Sequence, residues 1–421
     1  MEIKELQEFL DYSHSAYHAC AYLAGLLDQA GYTRLRENQE WELVPGGKYY
    51  LLRNGSALMA FRVPSGAPKG FMLSAAHSDR PTFRVKENGE LEGNGYLRLA
   101  TERYGGMLMA PWLDRPLSIA GRVLVKTGTG LESRLVDVDR DLLMIPNVAI
   151  HMNRKANDGY TWNPAVDMIP LLGSAGCKGK LMSLVAQAAG AAEDAILSHD
   201  LQLYVRQKAT VWGLEEEYIS AQGLDDLQCA YACVKGFLGA GEGESIPVCA
   251  IFDNEEVGSS TRQGADSNLL PSVLRRICDG LNLNYYRMTA GSFLVSADNA
   301  HAVHPNHPEY ADPSNRPQMN QGIVLKFNAN QRYCTDGGTA AFFRSVCKTA
   351  GVPVQSFWNR ADLMGGSTLG NISSTQVAIA SVDLGLPQLA MHSCYETAGV
   401  KDTGYLIEAL KTLYAMTYSG E

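Results

Sequence analysis

Apolar residues recur along this chain at helical and at strand-like spacings, in alternation. Near the N-terminus they recur every three or four positions, which predicts two helices within residues 3–31, the second capped by Ser13 or Ser15 and ended by Gly31. Similar patterns predict helices over residues 267–281, 338–351 and 402–418. Short apolar runs typical of buried strands occupy residues 57–63, 71–76, 246–252, 293–297 and 322–327. This alternation favours an α/β fold with helices on both faces of a mixed sheet.

The middle of the chain follows a different pattern, in which short β-like runs are broken by turn-forming residues. Runs at residues 122–127 and 134–138 flank Thr127-Gly-Thr-Gly130, and residues 160–175 contain Pro, Gly and Asn. We therefore predict a β-rich domain over residues 83–205, inserted into an α/β domain formed by residues 1–82 and 206–421. Within the insertion, residues 160–175 are expected to form a loop or mobile segment.

Composition narrows the classes of function. The 421 residues suffice for two domains, and 46% hydrophobic with 19% charged residues is typical of a globular protein. A formal net charge of -9 argues against general nucleic-acid binding. The acidic N-terminus is unlike a secretory signal, and no apolar run reaches the roughly 18 residues expected of a membrane span. Nine cysteines without a Cys-x-x-Cys pair favour reduced thiols and a cytoplasmic location.

Carboxylates and imidazoles follow several of the apolar runs, where the carboxyl ends of strands in an α/β sheet converge. The set comprises His77, Asp79, Asp253, Glu255, Glu256, Asp298 and His392, with Asp225 at the start of a helix-like segment. Crowded carboxylates repel one another and are costly to bury, so cations are their natural partners. Two imidazoles and several carboxylates suit two divalent metal ions of the zinc type. One of the adjacent glutamates can then bind metal while the other accepts a proton from water.

Five motifs carry these residues. They are His77-Ser-Asp79, Leu224-Asp-Asp-Leu227, Asp253-Asn-Glu-Glu-Val-Gly-Ser259, Ser296-Ala-Asp-Asn-Ala-His-Ala-Val-His-Pro-Asn306 and Pro387-Gln-Leu-Ala-Met-His-Ser393. In this order they resemble the aspartyl aminopeptidase family of dinuclear zinc peptidases. The resemblance runs from near residue 71 to the C-terminus and includes Ile145-Pro-Asn-Val-Ala-Ile-His151 and Lys326-Phe-Asn-Ala-Asn-Gln-Arg-Tyr333. It implies an aminopeptidase that removes N-terminal Asp or Glu from peptides with a free N-terminus.

The resemblance also implies a role for each residue. Two divalent metal ions per chain, zinc first but cobalt or manganese also suitable, would be bound by Asp225 as the bridge, by His77 and Asp298 at one site, and by Glu256 and His392 at the other. Glu255 would be the general base, and Asp79 would orient the histidine of its own loop. Asp253 is interpreted as the cap of the turn before Glu255.

Substrate binding and assembly are further implications of the resemblance. His151 would reach the active site of a neighbouring subunit and help to bind substrate. Lys326 would supply the positive charge that pairs with the first side chain of the peptide, although on its strand alone it is more typical of an edge lysine that discourages aggregation. The family implies a homo-oligomer, a tetrahedral dodecamer with an enclosed chamber, in which the inserted domain serves oligomerisation. No nucleic acid and no membrane is expected as a partner.

Other interpretations compete with this one. The same metals would suit a broader aminopeptidase, a deacylase or a carboxypeptidase, because a two-metal site does not specify the scissile bond. A non-catalytic shell or cargo protein would keep the fold but is expected to lack part of the ligand set or the base. His301, His304 and His307 are a weaker metal candidate because Pro305 and Pro308 break the helix that would align them, and Cys229-x-x-x-Cys233 lacks a second pair.

Overall fold

The computed structural model describes residues 3–419. Its helices are α1 (Ile3–Tyr12), α2 (Ala16–Gln29), α3 (Leu181–Ala189), α4 (Leu224–Gly239), α5 (Leu269–Gly280), α6 (Tyr285–Ala290), α7 (Gly337–Ala350), α8 (Leu369–Gln376) and α9 (Asp402–Ala415). Its strands are β1 (Thr33–Arg34), β2 (Lys48–Arg53), β3 (Ala57–Arg62), β4 (Phe71–His77), β5 (Thr82–Gly93), β6 (Tyr96–Tyr104), β7 (Leu117–Thr127), β8 (Gly130–Asp137), β9 (Leu171–Ser174), β10 (Ile196–Val205), β11 (Thr210–Trp212), β12 (Tyr218–Ala221), β13 (Ile246–Phe252), β14 (Phe293–Ala297), β15 (Ala300–His301), β16 (Ile323–Phe327), β17 (Val354–Trp358), β18 (Ala380–Gly385), β19 (Pro387–Leu389) and β20 (Glu396–Gly399).

A nine-stranded mixed sheet, which we call the main sheet, forms the centre of the molecule. Its strand order is β1-β2-β3-β13-β4-β14-β18-β16-β17. The four central strands β13, β4, β14 and β18 run parallel to one another, with His77 of β4 opposite Phe252 of β13. Parallel neighbours end at the same edge of a sheet, so whatever follows these strands is brought together there.

Helices cover both faces of the main sheet. Along β4, Met72 and Ala76 belong to the apolar cluster that contains the buried faces of α4 and α9, whereas Leu73 and Ala75 belong to the cluster that contains α5. This alternation follows from the two-residue period of a strand, which sends successive side chains to opposite faces. The predicted α/β class, a mixed sheet between helical layers, is confirmed.

Two further sheets complete the architecture. A six-stranded antiparallel sheet, in the order β8-β7-β10-β5-β6-β9, packs with α3 around an apolar core of its own. A five-stranded sheet in the order β11-β12-β20-β19-β15 includes β15 and β19, the strands that follow β14 and β18 along the chain. Arg122 of β7 ties the six-stranded sheet to the main sheet, because its guanidinium donates to the carbonyl oxygen of Asn54 at 2.7 Å.

The predicted elements agree with the structure except at two places. Ser15 caps α2 by accepting a hydrogen bond from the His18 amide, and the chain leaves that helix near Gly31 at φ +78°. The last helix ends at Ala415 rather than at residue 418. Residues 160–175 are not all loop, because β9 lies within them and pairs with the edge of β6. Backbone pairing with an open strand edge leaves no strong mark in a sequence.

Candidate metal centre

Six of the predicted site residues lie together at the carboxyl edge of the main sheet. They are His77, Asp225, Glu255, Glu256, Asp298 and His392. His77 ends β4, the two glutamates begin a 3₁₀ turn after β13, and Asp298 follows β14, so parallel strand ends bring them together. Asp225 lies at the start of α4, where its backbone is not helical, and His392 lies between β19 and β20.

The potential ligand atoms form two groups. One contains His77, Glu255 and Asp298, the other Asp225, Glu256 and His392, and the atoms within each group lie within 4.8 Å of one another. Nε2 of His392 is 3.3 Å from Oε2 of Glu256 and 3.4 Å from Oδ2 of Asp225. Ligands roughly 2.0–2.1 Å from a tetrahedral zinc ion are separated by about 3.3–3.4 Å. His392 therefore lies at the spacing that one such ion requires from both carboxylates of the second group.

Asp225 lies between the two histidines. Its Oδ1 is 3.8 Å from Nε2 of His77, and its Oδ2 is 3.4 Å from Nε2 of His392. Oδ1 of Asp225 and Oε1 of Glu256 are buried without a hydrogen-bond partner among the described residues. A buried carboxylate oxygen without a partner is costly, and a cation is the partner that removes this cost. The donor set therefore fits divalent metal ions.

Backbone carbonyls hold both histidines in the form that can bind a metal ion. Nδ1 of His77 is 3.2 Å from the carbonyl oxygen of Asp79, and Nδ1 of His392 is 2.6 Å from that of Gly106. Because a carbonyl oxygen only accepts hydrogen bonds, each Nδ1 must carry a proton. In the neutral ring this leaves the lone pair on Nε2, the atom that faces Asp225.

Asp79 fixes the turn that carries the two glutamates. Its Oδ1 accepts the amide of Glu255 at 3.1 Å, and its Oδ2 accepts the amide of Glu256 at 3.2 Å and the hydroxyl of Tyr104 at 2.6 Å. Oδ1 also lies 3.3 Å from Nδ1 of His77. The carboxylate that was expected to orient one histidine thus contacts the turn after β13 as well.

The electrostatics of the centre are those of crowded acids. Burial, together with the charge of Asp298, raises the pKa of Glu255 to about 8. Burial and the charge of Asp225 raise the pKa of Glu256 well above its ordinary value. Burial also acts to raise the pKa of Asp225, but its contacts with His392 and His77 outweigh this and lower it. Without cations, the centre therefore holds protons that metal ions would displace.

Lys326 lies beside this centre. Its side chain is 4% exposed, and its Nζ is 2.8 Å from Oδ1 of Asp298. Burial acts to lower the pKa of Lys326, but the charge of Asp298 outweighs it and raises that pKa. Lys326, Asp298, Glu255 and His392 line one cavity of about 290 Å³. Lys326 differs from a solvated edge lysine in two ways. Its strand, β16, pairs with β17 on one side and β18 on the other, and its ammonium forms a buried ion pair.

The single chain does not bring His151 to the centre. His151 is exposed in the segment between β8 and β9, and it does not line the metal-centre cavity. Among residues 3–419, its side chain has no hydrogen bond or ion pair. Its predicted role therefore requires a second subunit.

The weaker candidates lie outside the two ligand groups. Within residues 3–419, no group of metal-type ligands includes His304 or His307, whose rings pack on each other at 5.3 Å. Cys229 is buried and donates to Oδ1 of Asn299 at 3.0 Å. Asp253 accepts the amide of the next residue, Asn254, at 2.7 Å, but the N-cap position of the turn is Asn254 and not Asp253.

Sequence reasoning missed several residues that contact the ligands. Glu396 accepts the amides of Asp225 and His392, and Asp226 accepts the amide of His77 at 3.1 Å. The carbonyl of Gly106 comes from the segment that follows β6, a strand of the six-stranded sheet. Only Asp226, adjacent to a proposed ligand, had a signal in the sequence. The others act on or through backbone groups, which carry no residue-specific pattern.

Comparisons with known proteins identify the family of the chain. The family model described as aminopeptidase I zinc metalloprotease (M18) matches residues 9–414. A Clostridium acetobutylicum protein named probable M18 family aminopeptidase 2 is 43% identical over 423 residues, 98% of each chain. A Pseudomonas aeruginosa protein of the same name is 43% identical over 418 residues, 97% of each chain.

Two solved structures share the fold over nearly the whole chain. The crystal structure of prApe1 has a TM-score of 0.93 at 30% identity, covering 98% of this chain and 94% of that one. The mApe1 dodecamer of S. cerevisiae has a TM-score of 0.87 at 29% identity, covering 98% of this chain and 96% of that one.

Proposed function

The chain belongs to the M18 family of zinc aminopeptidases, and we propose that it removes N-terminal Asp or Glu from peptides, using two divalent metal ions per chain. The observation that carries the two-metal proposal is the position of Asp225, which directs one carboxylate oxygen toward each histidine. When bound, such ions lower the pKa of water and polarise the scissile carbonyl. Zinc is the first choice, and cobalt or manganese suits the same nitrogen and oxygen ligands.

The residues of the centre have different proposed roles. Asp225 would bridge, His77 and Asp298 would bind one ion, and Glu256 and His392 the other. Glu255, the adjacent glutamate, would take the proton of the attacking water and deliver it to the leaving amine. Its carboxylate lies in one group with His77 and Asp298, where it would be close to water activated by the bound ions. Asp79 would keep the turn and His77 in place.

Lys326 supports the preference for acidic side chains. An ammonium group has three donors, and among residues 3–419 only Asp298 accepts one of them. The remaining donors can pair with the carboxylate of an N-terminal Asp or Glu in the cavity that the metal ligands line. A neutral Leu side chain would leave this charge without an additional partner.

One observation favours a second candidate, an aminopeptidase of broader specificity. The charge of Lys326 is already compensated by Asp298 at 2.8 Å, so the cavity need not demand a carboxylate from the substrate. The deacylase and carboxypeptidase alternatives gain no comparable support. The non-catalytic alternative predicts a damaged centre, whereas every proposed ligand and the base are present.

We also propose that the protein is a homo-dodecamer in which His151 acts on a neighbouring subunit. Apolar side chains flank His151 on the exposed segment, with Val148 54%, Ile150 49% and Met152 84% accessible in the single chain. These exposed apolar side chains support the proposal that residues 83–205 form the oligomerisation domain, because a neighbouring subunit would cover them. A structural neighbour is a dodecamer.

We propose the cytoplasm as the location. The nine cysteines are all unpaired, which suits a reducing compartment. Within residues 3–419, no helix has the length and apolar character to cross a membrane.

The test combines metal analysis with a panel of matched peptides. The zinc-loaded protein should contain two metal ions per chain and cleave peptides with N-terminal Asp or Glu faster than the Leu peptide, measured as kcat/KM. N-acetylated Asp peptides should resist cleavage. Equal cleavage of the Leu peptide would favour the broader aminopeptidase, and cleavage of the acetylated peptide would favour a deacylase.

A further inference from the structure

Glu396 is a buried carboxylate that connects two parts of the metal centre. It lies at the start of β20 and is 1% exposed. Its Oε2 accepts the amide of Asp225, 171 positions earlier in the chain, at 3.0 Å. Its Oε1 accepts the amide of His392, four positions earlier, at 2.7 Å. One side chain therefore holds the backbones of two proposed ligands of the same metal ion.

The surroundings of Glu396 leave these amides as its principal partners. Among residues 3–419, no Lys, Arg or His side chain lies within ion-pair distance of its carboxylate. Nε2 of Gln388 is 3.5 Å from Oε1, a long contact. Each carboxylate oxygen of Glu396 accepts one backbone amide at an ordinary hydrogen-bond distance, so both backbone positions are tied to the same side chain.

The backbone of His392 has a conformation that requires such hydrogen bonds. Its φ is +66°, in the left-handed region that residues with a Cβ seldom adopt. Three contacts retain this conformation: the amide of His392 donates to Glu396, its Nδ1 donates to Gly106, and its carbonyl accepts the amide of Leu108 at 3.0 Å. Only Glu396 among these partners also holds Asp225. Glu396 thus links the backbones of two side chains whose atoms Nε2 of His392 and Oδ2 of Asp225 lie 3.4 Å apart.

We propose that Glu396 is a positioning residue that sets the metal affinity of the site formed by Asp225, Glu256 and His392. The inference rests on the proposed function, since the ion it concerns is the one assigned there. Glu396 belongs to neither ligand group and would act through the backbones of two proposed ligands. Partners of this kind typically contribute about 10- to 100-fold to metal affinity.

The chain offers a matched control for a purely structural role. Asp402 is also fully buried, and its carboxylate accepts two backbone amides, those of Asn320 at 2.6 Å and Gly322 at 2.9 Å. Neither of these residues is a proposed ligand. Asp402→Asn and Glu396→Gln therefore make the same chemical change in similar surroundings, and only the second touches the metal centre.

The experiment measures metal binding by the full-length protein. Wild type, Glu396→Gln and Asp402→Asn are stripped with a chelator and titrated with Zn²⁺ in competition with a chromophoric chelator. Glu396→Gln should weaken one of two binding events by at least about tenfold, because its amide NH₂ replaces one acceptor. Asp402→Asn should change neither zinc affinity by more than about threefold, even if it lowers the thermal midpoint of unfolding as much as Glu396→Gln does. The visible absorption of Co²⁺-loaded protein should change only in Glu396→Gln.

Two further results decide the proposal. Glu396→Asp, which is one methylene shorter and reaches one amide, should give an intermediate affinity and supplies the measurement if Glu396→Gln does not fold. Wild-type affinity in a folded Glu396 variant, or equal weakening by Asp402→Asn, would overturn the positioning role alone. A wild type that binds no divalent ion would overturn the proposed function together with it. The zinc titration uses no peptide. Its result therefore remains valid even if the protein does not cleave peptides with N-terminal Asp.

Discussion

Replacing Lys326 with Met tests how the charge beside the metal centre is used. Methionine is similar in length, so Lys326→Met removes the ammonium and its hydrogen bond to Asp298 while keeping much of the buried volume. The ion pair it breaks is buried, with side chains 4% and 11% exposed. The variant therefore has two separable effects, one on substrate preference and one on stability.

The effect on substrate preference follows from the free donors of the ammonium. A hydrogen bond to a charged group contributes about 1.5–3 kcal/mol, which corresponds to a factor of about 10–150 in kcat/KM. We expect that loss for a peptide with N-terminal Asp and a change of less than about threefold for the matched Leu peptide. The ratio of the two kcat/KM values should fall accordingly.

The effect on stability depends on metal. Removing one partner of a buried ion pair typically costs about 3–5 kcal/mol, because the other charge is left buried. Without metal, Asp298 is left in that position, and the variant should unfold at a lower denaturant concentration than wild type. With zinc bound, the cation compensates Asp298, so zinc should stabilise the variant more than it stabilises the wild type.

The assay is steady-state cleavage of the two peptides, with metal content and urea unfolding measured on the same samples. Lys126→Met, which removes an exposed lysine of β7, should alter none of these quantities. An unchanged Asp-to-Leu ratio in Lys326→Met with two ions bound would refute the specificity role. Equal stabilisation of both proteins by zinc would refute the placement of Asp298 as a ligand.

Four other changes give sharp outcomes. Glu255→Gln should lower kcat by about 10²–10⁴-fold with metal content intact, since the amide cannot accept the proton; more than about a tenth of wild-type kcat would reject it as the base. Asp225→Ala should lose at least one metal ion per chain by elemental analysis, and two retained ions would exclude the bridge. His151→Phe should lose activity while retaining metal and assembly by light scattering, and a fully active variant or an active monomer would contradict the shared site. Burial raises the pKa of Asp402 to about 7 in the folded protein, whereas an aspartate in the unfolded chain has a pKa near 3.9. Its contribution to the free energy of unfolding is therefore fully present below the unfolded pKa and is lost as the pH rises toward 7. The stability advantage of wild type over Asp402→Asn should therefore shrink by up to about 1.4 kcal/mol per pH unit across that window, and a constant difference would contradict the shift.

The sequence was sufficient to indicate the fold class, the family and the ligand types. Helical and strand periods are local properties, so α2 with its Ser15 cap and the buried strand β4 could be predicted from their own residues. The side chains that can bind a metal ion are equally visible, because imidazoles and carboxylates at strand ends carry their chemistry with them. Parallel order of the central strands then brings His77 and Asp298 to one edge of the sheet.

The tertiary structure alone decided how those side chains are held. Glu396 accepts the amide of Asp225, which lies 171 positions away in the chain, and the carbonyl of Gly106, in the segment after β6, accepts a hydrogen bond from Nδ1 of His392. Lys326, typical of an edge strand by its sequence, lies between β17 and β18 and pairs with Asp298. These contacts join a side chain to distant backbone or to a distant strand. Backbone amides and carbonyls are the same at every non-proline position, so only the folded chain selects which of them meets a given carboxylate or imidazole.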